Sequence, residues 1–220
     1  VRVLIVRPAP GNKATAEAVA GIGLEPVVVP LFEVVPVAWA VPDPARFDAV
    51  VMTSANAARF GGTELARFTH LPLFAVGETT AEAARRVGFI DVRTGAGDAA
   101  DLGPQLSGWV LHLTGSDHRP IPTGANVTVA PVYDSRPLAP SEPLAADIAL
   151  IHSPRAGTRL AELLPDRAAT KIVAISPAAA RACGTGWAAV HIADTPREHA
   201  MLACLARLCE APGNDLVGRR

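Results

Sequence analysis

Tyrosine occurs once in these 220 residues and cysteine three times. Cys183, Cys204 and Cys209 are odd in number and show no paired framework. Cys204 and Cys209 fall in an apolar helical stretch, so they read as small core hydrophobes in a reducing compartment rather than as a disulfide. Lysine is confined to Lys13 and Lys171, the net charge is −1, and there is no basic block. Nucleic acid is therefore not expected as a partner. No apolar run approaches the roughly 18 residues of a membrane span, so no membrane association is expected. The chain opens on a strand pattern, VRVLIVRP, with no leader expected, which points to the cytoplasm. A monomer is expected. No GxGxxG follows a strand, and no GxxxxGK[ST] occurs. The histidines have no metal-ligand spacing. No Ser–His–Asp set and no carboxylate pair stands out. Any chemistry must use little machinery, with no metal.

What the chain has is itself, twice. Asp48 to Leu65 (DAVVMTSANAARFGGTEL) matches Asp147 to Leu164 (DIALIHSPRAGTRLAELL). Leu73 to Ala81 (LFAVGETTA) matches Ile172 to Ala180 (IVAISPAAA) at the same offset, pairing Ser54 with Ser153 and Gly77 with Ser176. A second pair relates Val3–Arg7 to Val110–Thr114, and Val28–Val34 to Val129–Ser135. The copies are interleaved, which predicts two similar α/β domains. The chain leaves the first, builds the second and returns. Domain 1 is expected over 1–33 and 147–220, domain 2 over 47–133. Two Pro-rich crossings, 34–46 and 134–146, are expected to run side by side as paired linkers. Each copy holds about 100 residues, enough for its own core, and half the residues are hydrophobic.

Short apolar runs alternate with Ala-rich helical stretches, the βαβ pattern of a parallel sheet. Strands are expected near Val3–Val6, Pro26–Val29, Ala49–Met52, Leu73–Val76, Asp91–Arg93, Trp109–Leu113, Val127–Ala130, Ile148–Ile151, Lys171–Ile175 and Val190–Ile192. Helices are expected at Ala14–Gly21, Ala55–Phe60, Thr79–Val87, Ala99–Leu106, Ala156–Leu164, Ala178–Gly184 and Arg197–Glu210. Ser54 and Ser153 sit where N-caps belong, and Gly21, Gly88 and Gly184 where C-caps belong. The segment between Thr114 and Val127 is too Pro- and Gly-rich for a crossover helix. The tail from Ala211 to Arg220 is expected to fray.

Ligands of open α/β sheets bind outside the carboxyl ends of the strands. The loops there are Arg7-Pro8-Ala9, Thr53-Ser54-Ala55-Asn56, Gly77-Glu78-Thr79-Thr80, Thr114-Gly115-Ser116, Ser153-Pro154-Arg155 and Ser176-Pro177-Ala178. They are rich in hydroxyls and backbone N–H groups, which suits an anionic ligand. In any single loop the Ser or Thr reads as a helix cap. Six such loops at equivalent strand ends favour a ligand cleft. His112, His118 and His152 read as structural histidines before cleft residues. Tyr133, the only tyrosine, corresponds to Phe32 in the other copy. It is either an aromatic wedge or a phenol able to donate one proton.

In their order, VLIVRP, VVMTSANAA, AVGETTA, VYDSRPL, IHSPRA and IVAISPAAA resemble the uroporphyrinogen-III synthase family over nearly the whole chain. The resemblance implies two flavodoxin-like doubly wound parallel-sheet domains joined by a two-stranded linker. It also implies an enzyme needing no cofactor. Such an enzyme closes hydroxymethylbilane with loss of water, inverting the last pyrrole ring. By position, Tyr133 matches the family tyrosine proposed to assist hydroxide departure. Thr53, Ser54, Gly77, Thr79, Thr80 and Ser153 match positions that hold substrate carboxylates, with Arg7, Arg119 and Arg155 as added charges. Ala55, Asn56, Gly115 and Ser176 complete the loops. The sequence departs from the family at Ala178-Ala179, where a Thr is common, and at Ser176, where Gly is usual. These departures keep open a second reading, a non-catalytic two-domain binder of a tetrapyrrole or another polyanion.

Overall fold

Strands buried on both faces need consecutive apolar residues, and the chain supplies them repeatedly. The computed structural model describes residues 1–95, 97 and 99–210; the expected fraying of the tail concerns residues outside these. In chain order the elements are β1 (Arg2–Ile5), α1 (Gly11–Gly21), β2 (Glu25–Val28), β3 (Phe32–Pro36), β4 (Ala49–Met52) and α2 (Ala55–Phe60). Then come β5 (Leu73–Ala75), α3 (Glu78–Arg86), β6 (Val92–Thr94), β7 (Trp109–Gly115), β8 (Asn126–Pro137) and β9 (Ile148–Ile151). The last are α4 (Pro154–Leu163), β10 (Lys171–Ala174), α5 (Pro177–Ala182), β11 (Ala189–Ile192) and α6 (Glu198–Glu210).

The strands form two sheets, ordered β11-β10-β9-β1-β2 and β3-β8-β7-β4-β5-β6. The chain divides into two compact units, Val1–Glu33 with Pro137–Arg220, and Val34–Arg136. In the first unit every described strand pairing is parallel. One face of its sheet buries Leu4, Ala149, Ile151 and Ile172 against Ala156 and Leu160 of α4 and Ala179 and Ala180 of α5. The other buries Val3, Ile5, Leu150 and Val173 against Val19 of α1 and Met201, Cys204 and Leu205 of α6. Alternate residues of β1 thus point to opposite helical layers, as the period of a strand requires.

In the second unit one face of the sheet packs Val50, Met52, Leu111 and Leu113 against α2 and α3. Among the described residues the other face carries no long helix. Ala49, Val51, Phe74 and Val110 are covered by Leu102, Leu106 and Ile121. The helix expected over Ala99–Leu106 is two 3-10 turns, Ala99–Asp101 and Gly103–Gln105. Pro104 lacks an N–H, and a Cβ at Gly103 would collide with the Pro122 carbonyl oxygen. The segment after β7 forms no helix, as its composition implies. It inserts Ile121 beneath these turns, and the Thr123 hydroxyl donates to the Gly103 carbonyl at 2.9 Å.

Three other expectations need correction. Phe32–Pro36 is a strand beyond those expected, and it lies beside β8. β8 runs on through Tyr133 to Pro137, twelve residues. Pro36 and Pro137 are tolerated because they end their strands, where a missing donor costs least. A register shift between Thr114 and Gly115 lies opposite Pro131. Gly21 lies inside α1, and the left-handed turn after that helix is at Gly23, with φ of 80°. Gly88 and Gly184 do take positive φ after their helices.

Candidate functional site

In the second unit, β7 leads to β8 on one side and β4 to β5 on the other. The crevice at the carboxyl ends of β4 and β7 is therefore the topological switch point of that sheet. Thr53 and Ser54 follow β4, and Gly115 ends β7. The Thr53 hydroxyl lies 3.2 Å from His112 Nε2. His112 is 1 % exposed. Burial, helped by the neighbouring His118, pulls its pKa down to about 4. The imidazole is therefore neutral near pH 7. The rings of His112 and His118 meet edge-on at 5.9 Å. The structural reading of His112 accordingly stands, with the added role of a hydrogen-bond partner for Thr53.

Tyr133 pairs with Gly115 in register. Its carbonyl accepts the Ser116 N–H at 2.9 Å, which ties the end of β7 to β8. The ring lies 6.5 Å from that of Phe60. Among the described residues its phenol oxygen has no hydrogen-bond partner. Phe32, its counterpart, is instead buried, with the Arg155 guanidinium 4.8 Å above the ring.

Elsewhere in this unit the Ser54 hydroxyl caps α2 by accepting the Asn56 N–H at 3.2 Å. Asn56 Oδ1 accepts from Arg59, and Ala55 is buried beneath the turn. Gly77 precedes α3 with nothing closer to an added Cβ than the Gly97 Cα at 3.9 Å. Thr79 is exposed, whereas Thr80 is 4 % exposed and faces inward. Arg119 is exposed in the loop after β7.

In the first unit the switch point lies between β1 and β9. Arg7 follows β1 and His152 follows β9. The sequence reading missed what joins them. Glu198, in the first turn of α6, accepts from Arg7 Nη1 at 2.7 Å and lies 3.1 Å from His152 Nε2 through the same oxygen. Its other oxygen accepts the Thr15 hydroxyl at 2.6 Å. Burial alone would raise the Glu198 pKa. The hydrogen bonds and charges of His152, Thr15 and Arg7 outweigh it and hold the group at about 2. His152 Nδ1 is buried without a partner. No local signal marked Thr15 or Glu198, because each is one of several polar residues in its helical stretch. Ser153 and Ser176 cap α4 and α5, accepting the Ala156 and Ala179 N–H groups, each at 3.2 Å. The cap reading therefore holds for Ser54, Ser153 and Ser176. A capping oxygen that accepts still has its proton to donate, so capping and anion binding are compatible.

The structure thus gathers Thr53, Ser54 and the Gly115–Tyr133 pair at one switch point, and Arg7 and Ser153 at the other. Among the described residues no group of three or more His, Cys, Asp or Glu is arranged to hold a metal. No helix there is long and apolar enough to cross a membrane.

The family model for uroporphyrinogen-III synthase HemD matches residues 13–203. The solved uroporphyrinogen-III synthetase of Helicobacter pylori is similar at 18 % identity. The match covers 94 % of this chain and 99 % of that one, with a TM-score of 0.68. A mutant uroporphyrinogen III synthase of the extremely thermophilic bacterium Thermus thermophilus, also 18 % identical, matches with coverage of 95 % and 98 % and a TM-score of 0.59. At this identity these two likenesses bear on the fold alone. No curated protein matches by sequence.

Proposed function

The chain belongs to the uroporphyrinogen-III synthase family, cyclising lyases of haem biosynthesis, and we propose that it closes hydroxymethylbilane with loss of water and inversion of the last pyrrole ring. The family match over residues 13–203 carries this reading. The unpartnered phenol of Tyr133 beside the tip of β7 supports it.

In this proposal Tyr133 gives its proton to the departing hydroxyl, which leaves as water. The proton returns from the substrate, since the net reaction releases one water. Departure creates an electrophilic azafulvene. The last ring attacks through its substituted carbon, forming a spiro intermediate that reopens and closes inverted. The task is mostly conformational selection with help to a leaving group. Thr53, Ser54, Ala55, Asn56, Gly77, Thr79, Thr80, Gly115 and Arg119 offer the substrate hydroxyl, backbone and guanidinium donors from one unit. Arg7, Ser153, Arg155 and Ser176 are the candidate donors of the first unit. Thr80 is the weakest member, since its side chain faces inward.

The proposal includes two flavodoxin-like domains, 1–33 with 147–220 and 47–133. The strand order β2-β1-β9-β10-β11 supports that assignment. Crossings 34–46 and 134–146 form a two-stranded linker. Hydrogen bonds from Val37 N to Val132 O and from Leu138 N to Leu31 O, running in opposite senses, support the pairing. We take the protein to act as a cytoplasmic monomer without nucleic acid or membrane.

The test is a coupled assay in which hydroxymethylbilane is supplied and the oxidised product is separated. Type III product is expected. Type I alone, with tight binding, would instead support the binder reading. Ala178-Ala179 favours that second reading: Ala179 is fully buried and neither residue offers a hydroxyl.

A further inference from the structure

The three residues around Glu198 come from separate parts of the chain, after β1, in α1 and after β9, yet leave one side of a guanidinium unused. Arg7 Nη1 is satisfied twice, by Glu198 at 2.7 Å and by the Thr15 hydroxyl at 3.2 Å. Nε and Nη2 have no hydrogen-bond partner among the described residues. They occupy the space that a side chain at position 11 would need. A Cβ there would come within 2.6 Å of Cζ and Nη2 and 2.7 Å of Nε. The side chain is 30 % exposed, so the group is neither sealed in the core nor loose on the surface.

We infer that Glu198, Thr15 and Gly11 are positioning residues, which hold the Arg7 guanidinium at the β1–β9 switch point to receive a carboxylate of the substrate. The inference rests on the proposal that Arg7 contacts substrate. Its physical basis is pre-organisation. Arginine carries large rotamer entropy, and a planar fork fixed before binding loses less of it on meeting a carboxylate. The Glu198 carboxylate anchors one edge of the fork, and Gly11, having no side chain, leaves room for it. A second guanidinium edge, with Nε and Nη2 side by side, has the bidentate geometry a carboxylate accepts. Glu198 stays ionised across the working range, so the anchor does not switch off.

Three single variants and one double variant test this, each assayed for KM and kcat with hydroxymethylbilane, for thermal midpoint, and for Kd with uroporphyrin III by fluorescence quenching. The Kd needs no turnover. Arg7→Met removes the donors and should raise KM and Kd by about 10- to 100-fold, the range for a hydrogen bond to a charged group. Glu198→Gln keeps the shape of the anchor but not its charge, and should raise both by about tenfold with little change in kcat. Gly11→Ala leaves every charge in place and only displaces the guanidinium. It should raise Kd about tenfold with the midpoint unchanged or higher, because Ala is the better helix former. Gly11→Ala added to Arg7→Met should cost nothing more. If Arg7→Met weakens binding while Gly11→Ala and Glu198→Gln do not, the positioning role is wrong. If Arg7→Met leaves Kd unchanged, Arg7 is a structural ion pair and both readings of it fall. Absence of type III product from the unaltered protein, with these Kd shifts intact, would sink the reaction while supporting the anion site.

Discussion

The Tyr133 ring lies over Gly115, and a Cβ at position 115 would sit 2.7 Å from its Cε2 and 2.8 Å from its Cζ. Glycine is needed here for close approach of a ring, not for an unusual backbone angle. The pair fixes where the only phenol of the chain points.

Tyr133→Phe should keep the fold, since Phe32 occupies the equivalent place in the other copy. Turnover should fall by about 10²–10⁴-fold, the usual worth of general acid help. Gly115→Ala should slow turnover with the phenol still present, because the ring must move. Stopped-flow consumption of hydroxymethylbilane checks both. Unchanged rates in Tyr133→Phe, with type III product still made, would reduce Tyr133 to an aromatic wedge.

Thr53→Val should weaken substrate binding by about 10- to 100-fold while kcat changes little. Steady-state KM reads this directly. A fall in kcat at constant KM would mean that Thr53 serves the chemical step instead.

His112 makes stability depend on pH. Its folded pKa, about 4, lies below the ordinary 6.5. The unfolded chain therefore binds the proton first as pH falls. Stability is full above about pH 6.5 and declines between there and about pH 4. The loss from this group is of order 3 kcal/mol at most. Urea midpoints between pH 7 and 4 should show it, and His112→Gln should flatten the profile.

Gly157 lets α4 and α5 approach closely. A Cβ there would lie 2.9 Å from Cys183 Sγ and 3.0 Å from the Ala179 carbonyl oxygen. The oxygen is backbone and cannot step aside, so Gly157→Ala should lose about 1–3 kcal/mol in urea denaturation. A neutral result would mean the two helices separate without penalty.

All three cysteines are free thiols. Burial raises the Cys183 thiol pKa to about 11, against a smaller opposing pull from Arg167. At pH 8 the native protein should therefore modify at Cys183 only after unfolding. Mass spectrometry after timed alkylation reads the order. Early labelling of Cys183 would show that the α4–α5 layer opens.

Much of this molecule is legible in its sequence. The repeat declared two sheets, and short apolar runs marked β4 and β9 to the residue, because a strand buried on both faces leaves no other composition. Ser54 and Ser153 announced their caps through local hydrogen-bond chemistry. Tertiary structure decided the rest. Phe32–Pro36 is a strand because β8 lies beside it, although it ends on a proline. Ala99–Leu106 begins like a helix, but Gly103-Pro104 and the Pro122 carbonyl packed against Gly103 break it into two turns. Arg7 and Glu198 stand 191 residues apart, so no window of sequence could join them. Local chemistry is written in neighbouring residues, whereas a charge network is defined by which strand ends and helices the finished sheet brings together.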